Sequence, residues 1–283
     1  MERPDLLASG KTLLNPIERT ALSVVRMSFR SGSVGTTIKW LQRTIGTRWI
    51  RAAICNLHHV HHTERLPKLK PTDSFILVCN HRSFFDLYAV TPELLCRGFE
   101  QRMVFPVRSN FVYDSILGLL VNGLMSFFAM YPPIFRDRKR SQLNMLGLEE
   151  LIWLLRSGGH FVGFHPEGTR NTGDSYELLP ARTGVGHLIR HAQVTVIPVF
   201  TNGLLPNSAL EQIKGNFSRN GVPIHTVFGA PIDFGELLNE DPNQGLYKRI
   251  ANRTRDALLA LAAEERQLRS SHAAAAAADH SSS

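Results

Sequence analysis

Phe75-Ile76-Leu77-Val78-Cys79-Asn80-His81-Arg82-Ser83-Phe84-Phe85-Asp86 opens with an apolar run and closes on an acid five residues after a histidine. An apolar run of that length, bounded by polar residues, predicts a buried strand feeding a loop. His81 and Asp86 cannot touch inside one regular helix, because five residues turn through about 140° at 3.6 residues per turn. They meet if His81 lies on the loop and Asp86 in the first turn of the following helix. A carboxylate that fixes the tautomer of a histidine makes that ring a general base, able to take a proton from a hydroxyl. A second apolar strand, Phe161-Val162-Gly163-Phe164, leads into His165-Pro166-Glu167-Gly168-Thr169-Arg170-Asn171, which sets Glu167 and Arg170 around a glycine turn. Either stretch alone is commonplace. In this order they predict a base beside an anion-holding site.

Strands and helices alternate around these two stretches. Strands are predicted at Phe75–Val78, Met103–Phe105, Phe161–Phe164, Val194–Val199 and Ile224–Phe228, with a helix from Ser83, a long apolar helix after residue 115 and a helix over Leu146–Arg156. The last of these stops at Ser157-Gly158-Gly159, a helix-ending sequence. Such alternation predicts an α/β fold, a mixed and largely parallel sheet flanked by helices, with ligand sites at strand ends. The chain of 283 residues suffices for one such domain and does not demand two. Three regions are expected: residues 1–57 as a basic amphipathic helical segment, residues 58–268 as the α/β domain, and residues 269–283 as a disordered low-complexity tail. The final helix is expected to end near Leu268. There is no internal repeat.

The formal charge of +8 lies entirely in residues 1–70, which hold twelve Lys and Arg against four acids. A basic segment on an otherwise neutral domain points to an anionic surface. Arg19, Arg26 and Arg30 fall on one face of a helix predicted from Leu14 to Arg30, with Leu14, Ile17, Ala21, Val24 and Val25 opposite. After the Ser31-Gly32-Ser33 break, Ile38, Leu41, Ile45, Trp49 and Ala52 make a second apolar stripe. Two basic amphipathic helices, the second carrying Trp40 and Trp49, suit an element lying in a phospholipid interface. The alternative is that the stripes pack on the domain itself.

Other partners and compartments are expected to be absent. The basic positions are spread along helices without an aromatic-interleaved strand, so no nucleic acid is expected. Met1–Gly10 mixes both charge signs and has no apolar core, unlike a signal peptide. Cys55, Cys79 and Cys96 are odd in number and irregularly spaced, which suits a reducing, cytosol-facing setting. His58-His59-Val60-His61-His62 alternates like a strand, so its histidines divide between two faces and form no local tetrahedral set. The longest uncharged run, Ser115–Phe135, has 21 residues, but its Gly, Asn and Pro residues and its place between the two motifs favour burial over membrane spanning.

Asn80-His81-x4-Asp86 followed by Pro166-Glu167-Gly168-Thr169-Arg170 resembles the glycerolipid acyltransferases, the family of 1-acylglycerol-3-phosphate acyltransferase. That family carries four ordered blocks. The first is complete here, and the third is complete except that His165 stands where Phe is expected. Val194-Thr195-Val196-Ile197-Pro198-Val199 fits the fourth. Of the second, Gly-x-x-Phe-Ile-x-Arg, Phe135 and Arg138 are present, while Pro132 replaces the Gly and Arg136 the Ile. The resemblance covers about residues 60–230.

The resemblance implies that His81 deprotonates an acceptor hydroxyl, which attacks the thioester of acyl-CoA or acyl carrier protein. Asp86 then orients the imidazole, and no covalent acyl-enzyme forms. It implies that Arg138 and Arg170 bind the acceptor phosphate and that Glu167 orients an arginine or the acceptor glycerol. Gly168 is expected to allow positive φ or close approach, and Thr169 to complete the substrate-binding turn. No metal and no cofactor are expected. The acceptor is expected to be lysophosphatidic acid, at the cytoplasmic face of the cell membrane, with the protein peripheral or monotopic. The incomplete second block leaves glycerol-3-phosphate or another lysolipid open as the acceptor, and a non-catalytic lipid-binding module with this fold is the alternative from a different class. Lys139 and Arg140 read as a solvated basic loop, His165 as a hydrogen-bonded packing residue or a mark of a different acceptor. Ser115–Phe135 either lines an acyl tunnel or packs the core.

Overall fold

The computed structural model describes residues 3–29, 32–205 and 209–281. Arg30 and Ser31, counted above in the basic face and the helix break, lie outside these residues, as do Met1, Glu2 and positions 282–283. The chain begins with α1 (Leu6–Ser9) and α2 (Pro16–Met27). Asn15 starts α2 through a reciprocal cap: its Oδ1 accepts the Glu18 N–H at 2.8 Å, and Glu18 Oε2 accepts the Asn15 N–H at 2.8 Å. Pro16 occupies the first helical position, where no N–H is needed. α3 (Ser33–Leu41) passes through one π-helical turn into α4 (Thr47–Ile54).

Seven strands follow: β1 (His58–His61), β2 (Phe75–Cys79), β3 (Arg102–Arg108), β4 (Met130–Ile134), β5 (His160–Phe164), β6 (Thr195–Asn202) and β7 (Ile224–Phe228). The helices among them are α5 (Asp86–Cys96), α6 (Ser109–Val112), α7 (Ile116–Met125), α8 (Ser141–Ser157), α9 (Thr183–Ala192), α10 (Ala209–Ser218) and α11 (Gln244–Ser281). One sheet results, ordered β1-β7-β6-β2-β5-β3-β4. Every neighbouring pair is parallel except β6 and β7. This is the mixed, helix-flanked α/β architecture expected from the sequence. β2 sits at its centre, and Phe75 to Cys79 are all fully buried, as a strand covered on both faces requires. Gly163 on β5 lets layers close: a Cβ there would meet the Phe105 ring at 2.5 Å.

The N-terminal helices use much of their apolar surface on this core. Leu6, Ala21, Leu22, Val25, Ile50 and Ile54 are buried in the same cluster as Phe75–Cys79. Arg26, expected on an outward basic face, pairs with Asp5 and buried Glu150. The α2 stripe therefore packs on the domain. α3 buries no residue, and Val34, Trp40 and the nearby Ile45 are exposed.

Three expectations change. Residues 115–135 do not form one buried helix: α7 is followed by a turn and edge strand β4. Pro132 and Pro133 lack the N–H a helix interior needs and are tolerated at a sheet edge. Met130–Pro133 are buried, but α7 exposes Ile116, Leu117, Leu120 and Leu124. Arg140 is not a solvated loop residue, for it pairs with Glu18 of α2 and with Asp137. α11 runs past Leu268 to Ser281, because an uninterrupted alanine run has the highest helix propensity. Among the described residues, no helix is long and apolar enough to cross a membrane.

Candidate active site

Sheet register builds the site. Val78 pairs with Phe164 on one side and Pro198 on the other, so the chain leaving β2 emerges between the ends of β5 and β6. Asn80, fully buried, fixes that exit: its Oδ1 accepts the Thr201 N–H and its Nδ2 donates to the Thr201 carbonyl, both at 2.9 Å. The next residue, His81, is held by its backbone at both ends. Its N–H donates to Glu167 Oε1 at 2.8 Å, and its carbonyl accepts the Asn171 N–H at 2.7 Å.

Asp86 begins α5 and is fully buried. Its Oδ2 accepts the Arg82 N–H at 2.7 Å and the Ser83 N–H at 2.8 Å, and lies 3.2 Å from His81 Nδ1. An oxygen already receiving two donors is an acceptor, so Nδ1 carries the proton and Nε2 is left as the base. The loop-then-helix geometry expected of His81 and Asp86 is what the structure contains. Burial, aided by the charges of Arg170 and Arg136, lowers the His81 pKa to about 4. Burial raises that of Asp86 to about 6, opposed by His165 and the two backbone N–H groups. At neutral pH the imidazole is neutral and ready to accept a proton.

Glu167 makes its contacts with backbone groups. Buried, with Oε1 on the His81 N–H and Oε2 on the Leu179 N–H at 2.9 Å, it ties two loops and positions the base. Burial raises its pKa. Gly168 has φ +67°, the left-handed conformation expected of it. Thr169 is half-buried, and Arg170 is exposed. Arg138 is exposed on the short turn Arg138–Arg140. The residue from that stretch that touches the glycine turn is Arg136, whose Nη2 lies 3.4 Å from the Gly168 carbonyl and 3.3 Å from Thr169 Oγ1.

Sequence reasoning did not find the Arg136 contact, although the charge at an aliphatic position was its signal. It also missed the stack of His165 on His81, with ring centroids 3.9 Å apart and planes 12° from parallel. His165 Nδ1 is 3.0 Å from the Cys79 carbonyl, to which it donates. Burial, aided by His81, takes the His165 pKa down to about 3, so it stacks as a neutral ring. Beside Phe85 lies an apolar crevice of about 20 Å³, also lined by Trp49, Ile50, Ala89, Leu204 and Ile213. No part of 115–135 lines it, and α7 turns its apolar face outward, so this crevice is not the tunnel considered for that segment.

His81 and its buried partner Asp86 thus lie where the chain leaves the C-terminal end of β2, in a mixed, largely parallel α/β sheet. The family model described as Acyltransferase matches residues 58–202, just over half of the chain; the chain belongs to that acyltransferase family. It is 29% identical over 152 residues to mouse (Mus musculus) 1-acyl-sn-glycerol-3-phosphate acyltransferase alpha, covering 53% of this chain and 45% of that protein. It is 26% identical over 171 residues to the human (Homo sapiens) beta enzyme, covering 60% and 54%. The chain thus spans about half the length of the curated relatives it matches. The crystal structure of the 1-acyl-sn-glycerophosphate acyltransferase PlsC from Thermotoga maritima superposes with a TM-score of 0.52 at 19% identity, over 92% of this chain and 93% of that one, which shows a shared fold.

The fields at His81 set a pH dependence. Arg136 disfavours the imidazolium, so Arg136→Gln raises the pKa of the base. The acid limb of kcat/KM, which reports the coupled His81–Asp86 pair, then moves to higher pH. An acid limb at the same pH in wild type and variant counts against this account.

Proposed function

We propose that this protein is an O-acyltransferase that moves a fatty acyl group from a thioester, acyl-CoA or acyl carrier protein, to the free hydroxyl of 1-acylglycerol-3-phosphate. The product is phosphatidic acid. The observation that carries the proposal is His81 Nε2, without a hydrogen-bond partner among the described residues, backed by Asp86 and under the charges of Arg170 and Arg136. Nε2 takes the hydroxyl proton as the oxygen attacks the thioester carbonyl. The tetrahedral adduct expels the thiolate, which leaves with the proton from the imidazolium, so atoms and charge balance without an acyl-enzyme. Arg170 and Arg136, with Arg138 from the same basic turn, bind the acceptor phosphate, which suits guanidinium geometry. The named function of the curated relatives, acylation of 1-acyl-sn-glycerol-3-phosphate, supports this acceptor.

The direct test is thiol release from palmitoyl-CoA, and from palmitoyl carrier protein, with a panel of acceptors. The expected result is release dependent on lysophosphatidic acid and slowed about 10²–10⁴-fold in His81→Ala. Release with glycerol-3-phosphate or a non-phosphorylated lysolipid alone keeps the chemistry and moves the acceptor. No release from either donor with any acceptor overturns the proposal and favours a non-catalytic lipid-binding role.

The protein acts as a peripheral or monotopic protein on the cytoplasmic face of a phospholipid membrane. Phe84, on the loop carrying the base, packs on exposed Phe111 with centroids 4.7 Å apart. From Phe111 the chain leads into α7, where Leu117 and Leu124 are 71% and 73% exposed. Exposed apolar side chains beside a site for lipid substrates, with a basic N-terminal segment, suit an anionic bilayer, where each Lys or Arg near the surface adds about 1 kcal/mol. The double substitution Leu117→Glu, Leu124→Glu is expected to abolish co-sedimentation with phosphatidylglycerol vesicles without changing the unfolding midpoint. Undiminished sedimentation contradicts the membrane proposal.

A further inference from the structure

A second cluster of histidines lies at the β1 edge of the sheet, away from the strand that carries His81. His59 of β1 is the register partner of His225 on β7, and their rings are 5.0 Å apart. His272, near the end of α11, brings a third ring 4.1 Å from that of His59 and 5.5 Å from that of His225. One ring nitrogen from each of the three lies within 4.8 Å of the others. We propose that His59, His225 and His272 bind a divalent transition-metal ion of the zinc type, which fastens the end of α11 to the β1–β7 edge of the sheet.

The alternation of the strand holds, yet it does not exclude a site. His58 points to one face and bonds Thr226 Oγ1 at 2.9 Å. His59 and His61 share the other, and the remaining ligands come from β7 and α11, far away in sequence. Tetrahedral zinc with bonds of about 2.0–2.1 Å needs nitrogens about 3.4 Å apart. Small ring rotations, easiest for exposed His272, close the remaining gap. The donors are nitrogen only, which suits zinc, nickel or copper and not calcium or magnesium. Three protein ligands leave a fourth position for water.

The surroundings suit such an ion. His61 Nε2 lies 3.2 Å from His225 Nδ1, an outer partner that fixes the tautomer and frees the other His225 nitrogen. Arg269 reaches His59 and His225 with its charge. Its guanidinium is engaged by buried Glu265 at 2.7 Å and by the Pro223 and Asn202 carbonyls, so Glu265 offsets it beside the ion.

The test is zinc binding to the full chain after chelator treatment, read as bound zinc per chain and as the shift in melting temperature. Wild type is expected to bind one zinc ion and to melt higher with zinc than without. His272→Ala, at an exposed position, is expected to bind zinc roughly ten-fold or more weaker while keeping the metal-free melting temperature and the acyl-transfer rate. His81, Asp86 and His165 also bring ligand atoms within 4.8 Å of one another, so His81→Ala separates the two clusters and is expected to retain zinc. Equal zinc binding by wild type and His272→Ala, no binding by wild type, or loss of zinc in His81→Ala in place of His272→Ala overturns the proposal.

Discussion

A single carboxylate oxygen, Asp86 Oδ2, organises the site. It sits in a fully buried residue and faces three donors, the N–H groups of Arg82 and Ser83 and Nδ1 of His81. Burying a carboxylate costs several kcal/mol unless hydrogen bonds replace its water. Here two of the replacements are backbone groups of the loop that carries the base. The loop conformation and the histidine tautomer are therefore set by one group. Among the described residues the other oxygen, Oδ1, has no partner, and burial of the group raises the Asp86 pKa to about 6.

That arrangement depends on where β2 ends. Asn80 clamps the end of β2 to β6, Glu167 joins it to the loop after β5, and Asn171 closes the other side of His81. The charged groups stand outside this frame. The charges of Arg170 and Arg136 oppose the imidazolium. The imidazole of His81 is thus neutral at neutral pH.

The central strand and the His81–Asp86 pair were legible because their determinants are local: an apolar run covered on both faces, and a spacing that fits loop followed by helix. Gly168 was legible for the same reason. What escaped depends on partners distant in sequence. Glu167 reads as a site carboxylate, but its two oxygens accept backbone N–H groups from loops that only the sheet brings together. His165 looks like a departure from a motif until stacking on His81 is seen. Arg136 was marked by its charge but not by its contact with the turn. The run at 115–135 misled because hydrophobicity alone does not say which face is covered; its prolines were the better guide to where helix ends and edge strand begins. The α2 stripe carried the same ambiguity, and the core took it.

The central claim is that Asp86 holds His81 in the Nδ1–H tautomer with Nε2 free. It is tested most directly by nitrogen-15 NMR of the His81 ring in the full chain at neutral pH, compared with Asp86→Asn. The account predicts a protonated Nδ1 and an unprotonated Nε2 in the wild type, and loss of that preference in the variant. A wild-type ring protonated at Nε2, or a tautomer unaffected by Asp86→Asn, contradicts it.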